Sequence, residues 1–66
     1  MKNELVAIEY LRVGQRYLDR SNWVLTVQST ERRAKTYLVV SVNGYGEEFR
    51  ESYRHYSVVE LVKGWS

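Results

Sequence analysis

From Val13 onward the chain alternates. Val13, Gln15 and Tyr17 fall on one side of a period of two, with Gly14, Arg16 and Leu18 on the other. After the turn-forming stretch Asp19 to Asn22, the run WVLTVQSTE sets Trp23, Leu25 and Val27 against Val24, Thr26 and Gln28. Successive side chains of a strand point to opposite faces, whereas a helix repeats its apolar stripe every three to four residues, so this pattern calls for half-buried strands. Trp23, Leu25 and Val27, the bulkier set, are expected to face inward.

The pattern continues to the end of the chain. Glu31 to Lys35 is too polar for a core and reads as an exposed hairpin loop. In TYLVVSV both sets carry bulk, Leu38, Val40 and Val42 opposite Tyr37, Val39 and Ser41, as in a central strand. Asn43-Gly44 signals a hairpin with a type I′ turn, because both central positions of that turn need a positive φ that Asn and Gly tolerate; Gly46 then adds a bulge or widens the loop. A strand with Phe49 and Tyr53 on one side runs to about Tyr53, followed by a single turn and a short strand in SVVELV. Lys63 to Ser66 form a tail. Glu4 to Arg12 is ambiguous: Leu5, Ile8 and Leu11 recur at helical spacing with Asn3 and Gly14 as boundaries, but the same residues also fit a short strand. We favour a short helical turn there.

Composition agrees with strands. Ten Val and nine aromatic residues stand against two Ala, and proline is absent. Sixty-six residues enclose one core only, so residues 1–66 are expected to form a single domain. With no cysteine the domain has neither a disulfide nor a thiolate metal site to lean on. No apolar stretch approaches the roughly 20 residues of a membrane span, and Glu4 and Glu9 interrupt any signal-peptide core. The expectation is a soluble, cytoplasmic protein that does not engage membranes.

Catalysis finds little support. His55 is the lone histidine, and without cysteine or a second histidine it makes no zinc site; its plain reading is a surface residue in a turn. Ser52, Ser57 and Glu51 are near it in sequence, but extended backbone points them in mostly different directions. Gly44 and Gly46 are followed by two glutamates that repel phosphate. Glu47, Glu48 and Glu51 interleave with Arg50 and Arg54, the pattern of a solvated strand face with cross-strand pairing. We expect no enzyme, no cofactor and no metal.

Five short strands joined by tight turns hide their apolar faces best by curling. VGQRY, the Asn43-Gly44 hairpin and the late turn before SVVEL together resemble an SH3-like barrel, the family that includes Tudor-like and KOW-type modules; the resemblance covers Leu11 to Val62. It implies an all-β, five-stranded barrel preceded by a short helical turn or strand. The acidic loop and proline-groove tyrosines of signalling SH3 domains have no counterpart. The short chain also looks like small phage-encoded proteins.

Two functions follow from what such a fold leaves outside. Interface hot spots favour Trp, Tyr and Arg, so Tyr45 at a hairpin and Trp65 near the C-terminus are candidate anchors of a protein-interaction or inhibitor module, acting on a host protein if the phage likeness holds. An edge strand also offers a homodimer. The alternative is nucleic-acid binding. The net charge is only +2, but residues 1 to 40 carry seven basic and four acidic side chains. Arg32, Arg33 and Lys35 cluster in the predicted loop; Arg12, Arg16 and Arg20, four apart, share a face if the first strand stays regular. Such a stripe and loop would grip phosphates, with Tyr17, Tyr37 or Tyr45 stacking on bases. The near-neutral total charge places protein interaction first.

Overall fold

The computed structural model describes residues 4–62, and all of its regular structure apart from one short turn is strand. Six strands form a single antiparallel sheet: β1 (Glu4–Ala7), β2 (Arg16–Leu18), β3 (Val24–Arg32), β4 (Thr36–Val42), β5 (Glu48–Arg54) and β6 (Val58–Leu61). Their order across the sheet is β1-β6-β2-β3-β4-β5. The all-β expectation holds, and β4 is central as its two bulky faces implied. The five-stranded barrel does not: there is one strand more, and β1 and β5 remain edges of an open sheet.

The sixth strand comes from the ambiguous N-terminal segment, which contains both of the alternatives. Glu4–Ala7 pairs with β6, and Ile8–Tyr10 then makes one 3-10 turn, closed by the Leu11 N–H on the Ile8 carbonyl at 3.1 Å. Ile8 and Leu11 recur at three because that is the 3-10 period, and both are buried; Leu5, on the strand, is exposed. The first predicted strand is cut short. Gly14 has φ +92° and the Gln15 N–H bonds the Arg12 carbonyl, so Val13 and Gly14 make a turn; the Gly14 N–H donates to the Val27 carbonyl and the Gln15 carbonyl accepts the Val27 N–H, an irregular step before the regular register begins at Arg16.

One face of the sheet builds the core. Cross-strand partners share a face, which groups Tyr17 with Leu25 and Leu61, Val27 with Ser41 and Phe49, Thr30 with Val39 and Glu51, and Arg32 with Tyr37 and Tyr53. Ile8, Leu11, Tyr17, Leu25, Val27, Val39, Tyr53 and Val59 are the buried apolar residues of this cluster. A lone flat sheet cannot bury one face, so the strands curl around it. The curl shows in two contacts. The Tyr17 hydroxyl on β2 lies 2.7 Å from the Ser41 hydroxyl on β4, spanning β3; and Arg20, just beyond β2, donates from Nη2 to the Ser52 carbonyl of β5 at 3.0 Å. Arg20 also sits over the Tyr53 ring at 4.6 Å, so a side chain bridges the seam that backbone pairing leaves open.

A β-bulge shifts the phase of β3 midway along its length. Val27 pairs with Ser41 but Ser29 with Val40, which leaves Gln28 extra. Inward positions are therefore odd-numbered up to Val27 and even-numbered from Thr30. Trp23 keeps the phase of Leu25 and Val27, yet it lies beyond the last paired row and is 62% exposed, contrary to the inward burial expected of it.

Candidate functional site

Antiparallel connectivity puts the β2–β3 and β4–β5 hairpins side by side at one end of the sheet and the β3–β4 hairpin at the other. The two neighbouring loops, Asp19 to Trp23 and Asn43 to Glu47, are copies of one device. In each, the first residue's side-chain Oδ1 accepts the N–H groups of the third and fifth residues: Ser21 and Trp23 at 2.8 Å on Asp19, Tyr45 and Glu47 at 2.9 Å on Asn43. In each, the first residue's N–H reaches the fifth carbonyl at 3.0 Å, and the fourth residue's N–H bonds the first carbonyl. The fourth residue takes positive φ, +65° at Asn22 and +82° at Gly46. This is the chemistry of Asx-headed turns, in which a short side chain replaces backbone partners.

The predicted type I′ turn is thereby corrected. Asn43 heads the turn instead of occupying its centre, and the positive φ falls on Gly46. Asn and Gly are still needed, at different positions from those of a two-residue turn.

Between the twin loops opens a cleft of about 300 Å³ lined by Trp23, Leu25, Tyr45, Phe49, Asp19, Asn43 and Glu47. Leu25 is buried and floors it; Trp23, Tyr45 and Phe49 wall it with exposures of 62, 89 and 40%. Its polar groups are engaged: Asp19 and Asn43 cap their loops, and Glu47 accepts from the Asn43 amide at 2.7 Å. The opening presented to solvent is apolar and ringed by aromatic side chains on braced turns. Sequence reasoning found Tyr45 but missed Trp23 and Phe49, which the alternation assigned to a strand face. The missed signal was Asx-x-x-(Asn or Gly) occurring twice between strands.

The other predicted anchor, Trp65, falls outside the described residues. The cationic candidates disperse. Arg12 lies in the turn before β2, Arg16 is half-buried on the outward face, and Arg20 is committed to Ser52 and Tyr53, so the three form no stripe. The condition they needed, a regular first strand, is not met. Arg32, Arg33 and Lys35 do cluster, exposed, at the far hairpin, where Arg33 pairs with Glu31 at 3.3 Å.

Of the acidic series on β5, Glu48 pairs with Arg50 at 3.0 Å and Glu51 accepts the Tyr53 hydroxyl at 2.6 Å. Tyr53 is held in its neutral form by burial first and by donating to Glu51 second; burial likewise raises Tyr17, against the opposing bond to Ser41. Among the described residues no three metal-ligating side chains converge, and no helix is long and apolar enough to cross a membrane. The chain matches no protein-family model, no curated protein and no solved structure.

Proposed function

We propose that the protein is a non-enzymatic protein-binding module that seats one large apolar side chain of a partner in the cleft between its twin hairpins. The observation that carries this reading is the convergence of Trp23, Tyr45 and Phe49 around a cleft whose carboxylates are already hydrogen-bonded within the loops. Exposed aromatic side chains cost solvation, and contiguous ones mark contact surfaces. Braced loops lower the ordering entropy that binding must overcome. The volume lies at the low end of the roughly 300–1,000 Å³ of small-molecule pockets, which suits a single side chain. The dispersal of Arg12, Arg16 and Arg20 removes the continuous cationic face that would have placed nucleic acid first.

Selection from a displayed random-peptide library tests the proposal. Binders are expected to share one large apolar residue and to lose at least about tenfold in affinity to Trp23→Ala and to Tyr45→Ala, the loss typical of a hot spot. Trp65→Phe in the background leaves Trp23 as the reporter, and its fluorescence is expected to shift on binding. Peptides that bind all cleft variants as well as the parent would overturn the assignment.

A further inference from the structure

The far end of the sheet carries different chemistry. The β3–β4 hairpin presents Arg32, Arg33 and Lys35, all exposed, and β5 adds exposed Arg54, which pairs across the sheet with Thr36. A shallow depression of about 480 Å³ is lined here by Ala34, Lys35, Thr36, Arg54, His55 and Tyr56, with no carboxylate among them. Tyr56 is 94% exposed. Glu31, beside the tip, is engaged by Arg33.

The tip is fixed in place by His55. Its Nε2 lies 2.8 Å from the Arg33 carbonyl and 3.0 Å from the Thr36 carbonyl, and since carbonyls only accept, Nε2–H donates to both. The His55 ring meets the Tyr37 ring edge-on, with centroids 6.5 Å apart. The backbone of the cationic loop is thus tied to the turn that bears Tyr56.

We infer that this end of the molecule is a second binding site, for single-stranded nucleic acid. Lys35 and Arg54 line a depression that holds no carboxylate, and with Arg33 beside them they attract successive phosphates, gaining through counterion release. An exposed phenol ring beside them offers a face on which an unpaired base stacks. An acidic protein segment would satisfy the charges but give the Tyr56 ring nothing flat to meet, and a duplex keeps its base faces covered. The site uses Arg33 and Lys35 of the cationic candidates and adds Arg54 and Tyr56, expected from the sequence on a solvated face and in a turn; Arg32 shares the face of Tyr37 and Tyr53, opposite to Thr36 and Arg54, and takes no part. It stands apart from the aromatic cleft: the nine residues of β3 separate the two by roughly 25–30 Å.

Fluorescence anisotropy with labelled oligothymidylate and oligouridylate of about twelve nucleotides tests it, a length within the footprint of small single-strand binders. For three neutralised phosphates the log affinity is expected to fall with log salt at a slope of about −2, at about 0.7 per phosphate. Lys35→Glu with Arg54→Glu is expected to cut the slope by about 1.4 and to weaken binding at low salt more than tenfold. Tyr56→Ala is expected to weaken binding about five- to a hundredfold with the slope unchanged, the mark of stacking. Trp23→Ala is expected to leave this binding alone, so its result is read separately from that of the cleft. The inference is overturned if neither oligonucleotide binds at low salt, if polyglutamate competes as well as the oligonucleotide, if a duplex binds as tightly, or if Tyr56→Ala changes nothing. Tyr56 packs on little, so that last variant remains readable even if the double charge reversal fails to fold.

Discussion

The Tyr17 and Ser41 hydroxyls meet at 2.7 Å inside the core, each on a strand that does not neighbour the other's. Ser41 is the one buried polar or charged residue among those described, and its partner is the largest of the fully buried side chains. A polar pair in a core this small is stabilising only while both members are present.

Tyr17→Phe is therefore expected to cost about 1–2 kcal/mol, because it leaves the Ser41 hydroxyl buried without its partner. Ser41→Ala costs a similar amount. The double variant should lose less than the sum, with a coupling of about 0.5–2 kcal/mol in urea unfolding; strict additivity would show that the contact contributes nothing.

Alkaline titration should expose the same core. Tyr17 and Tyr53 are both raised in the folded protein, from the ordinary value of 10.0, chiefly by burial. Their contribution is then fully present below about pH 10 and is lost as pH rises beyond it, because the unfolded chain releases protons that the folded one keeps. Stability should fall by up to about 1.4 kcal/mol per pH unit for each of the two, and phenolate absorbance of these two should appear with unfolding. Tyr53→Phe should flatten that decline; an unchanged slope would count against it.

Two glycines in one loop should respond oppositely. No atom lies within 4 Å of a Cβ built at Gly44 or at Gly46, so space decides neither. Gly46 has φ +82°, where a side chain costs about 1–2 kcal/mol, and Gly46→Ala should lose that much. Gly44 has no such φ, and Gly44→Ala should be neutral or gain about 0.4–1 kcal/mol by restricting the unfolded chain. Thermal unfolding of the pair would show whether the positive φ sits where it is described.

Deleting Gln28 should be tolerated about as well as replacing it. Without the extra residue Val27 is joined to Ser29, whose partners Ser41 and Val40 are already consecutive, so the ladder becomes regular and Thr30 and Arg32 keep their faces and partners. A loss of less than about 1 kcal/mol is expected in urea unfolding for the deletion and for Gln28→Ala alike. A much larger loss on deletion would mean that the local twist added by the bulge is needed to curl the sheet.

Much of this architecture was legible in the order of apolar residues. Leu25 and Val27, Val59 and the breadth of β4 follow from alternation, because burial on one face is what selects it. The bulge was not legible. After Val27 the chain runs Gln28-Ser29-Thr30-Glu31, and with no apolar residue to betray phase, a slip of one leaves no mark. Trp23 misled for the opposite reason: its phase is right, but a strand's pattern does not say where pairing stops. Half of the cleft was visible as Tyr45 at a hairpin. The rest depended on two loops with nineteen residues between them becoming neighbours, which strand order decides and local sequence does not.

Arg20 makes the seam a latch and not a weld. Five backbone ladders join the six strands, and the junction that would complete a cylinder is given to a guanidinium on rotatable bonds. Releasing it severs no strand pair, so the sheet has a route to flatten and re-curl that stops short of unfolding. Outer-edge amides of β5 should accordingly exchange with solvent ahead of those of β4, and Arg20→Ala should widen that gap more than it lowers the melting temperature.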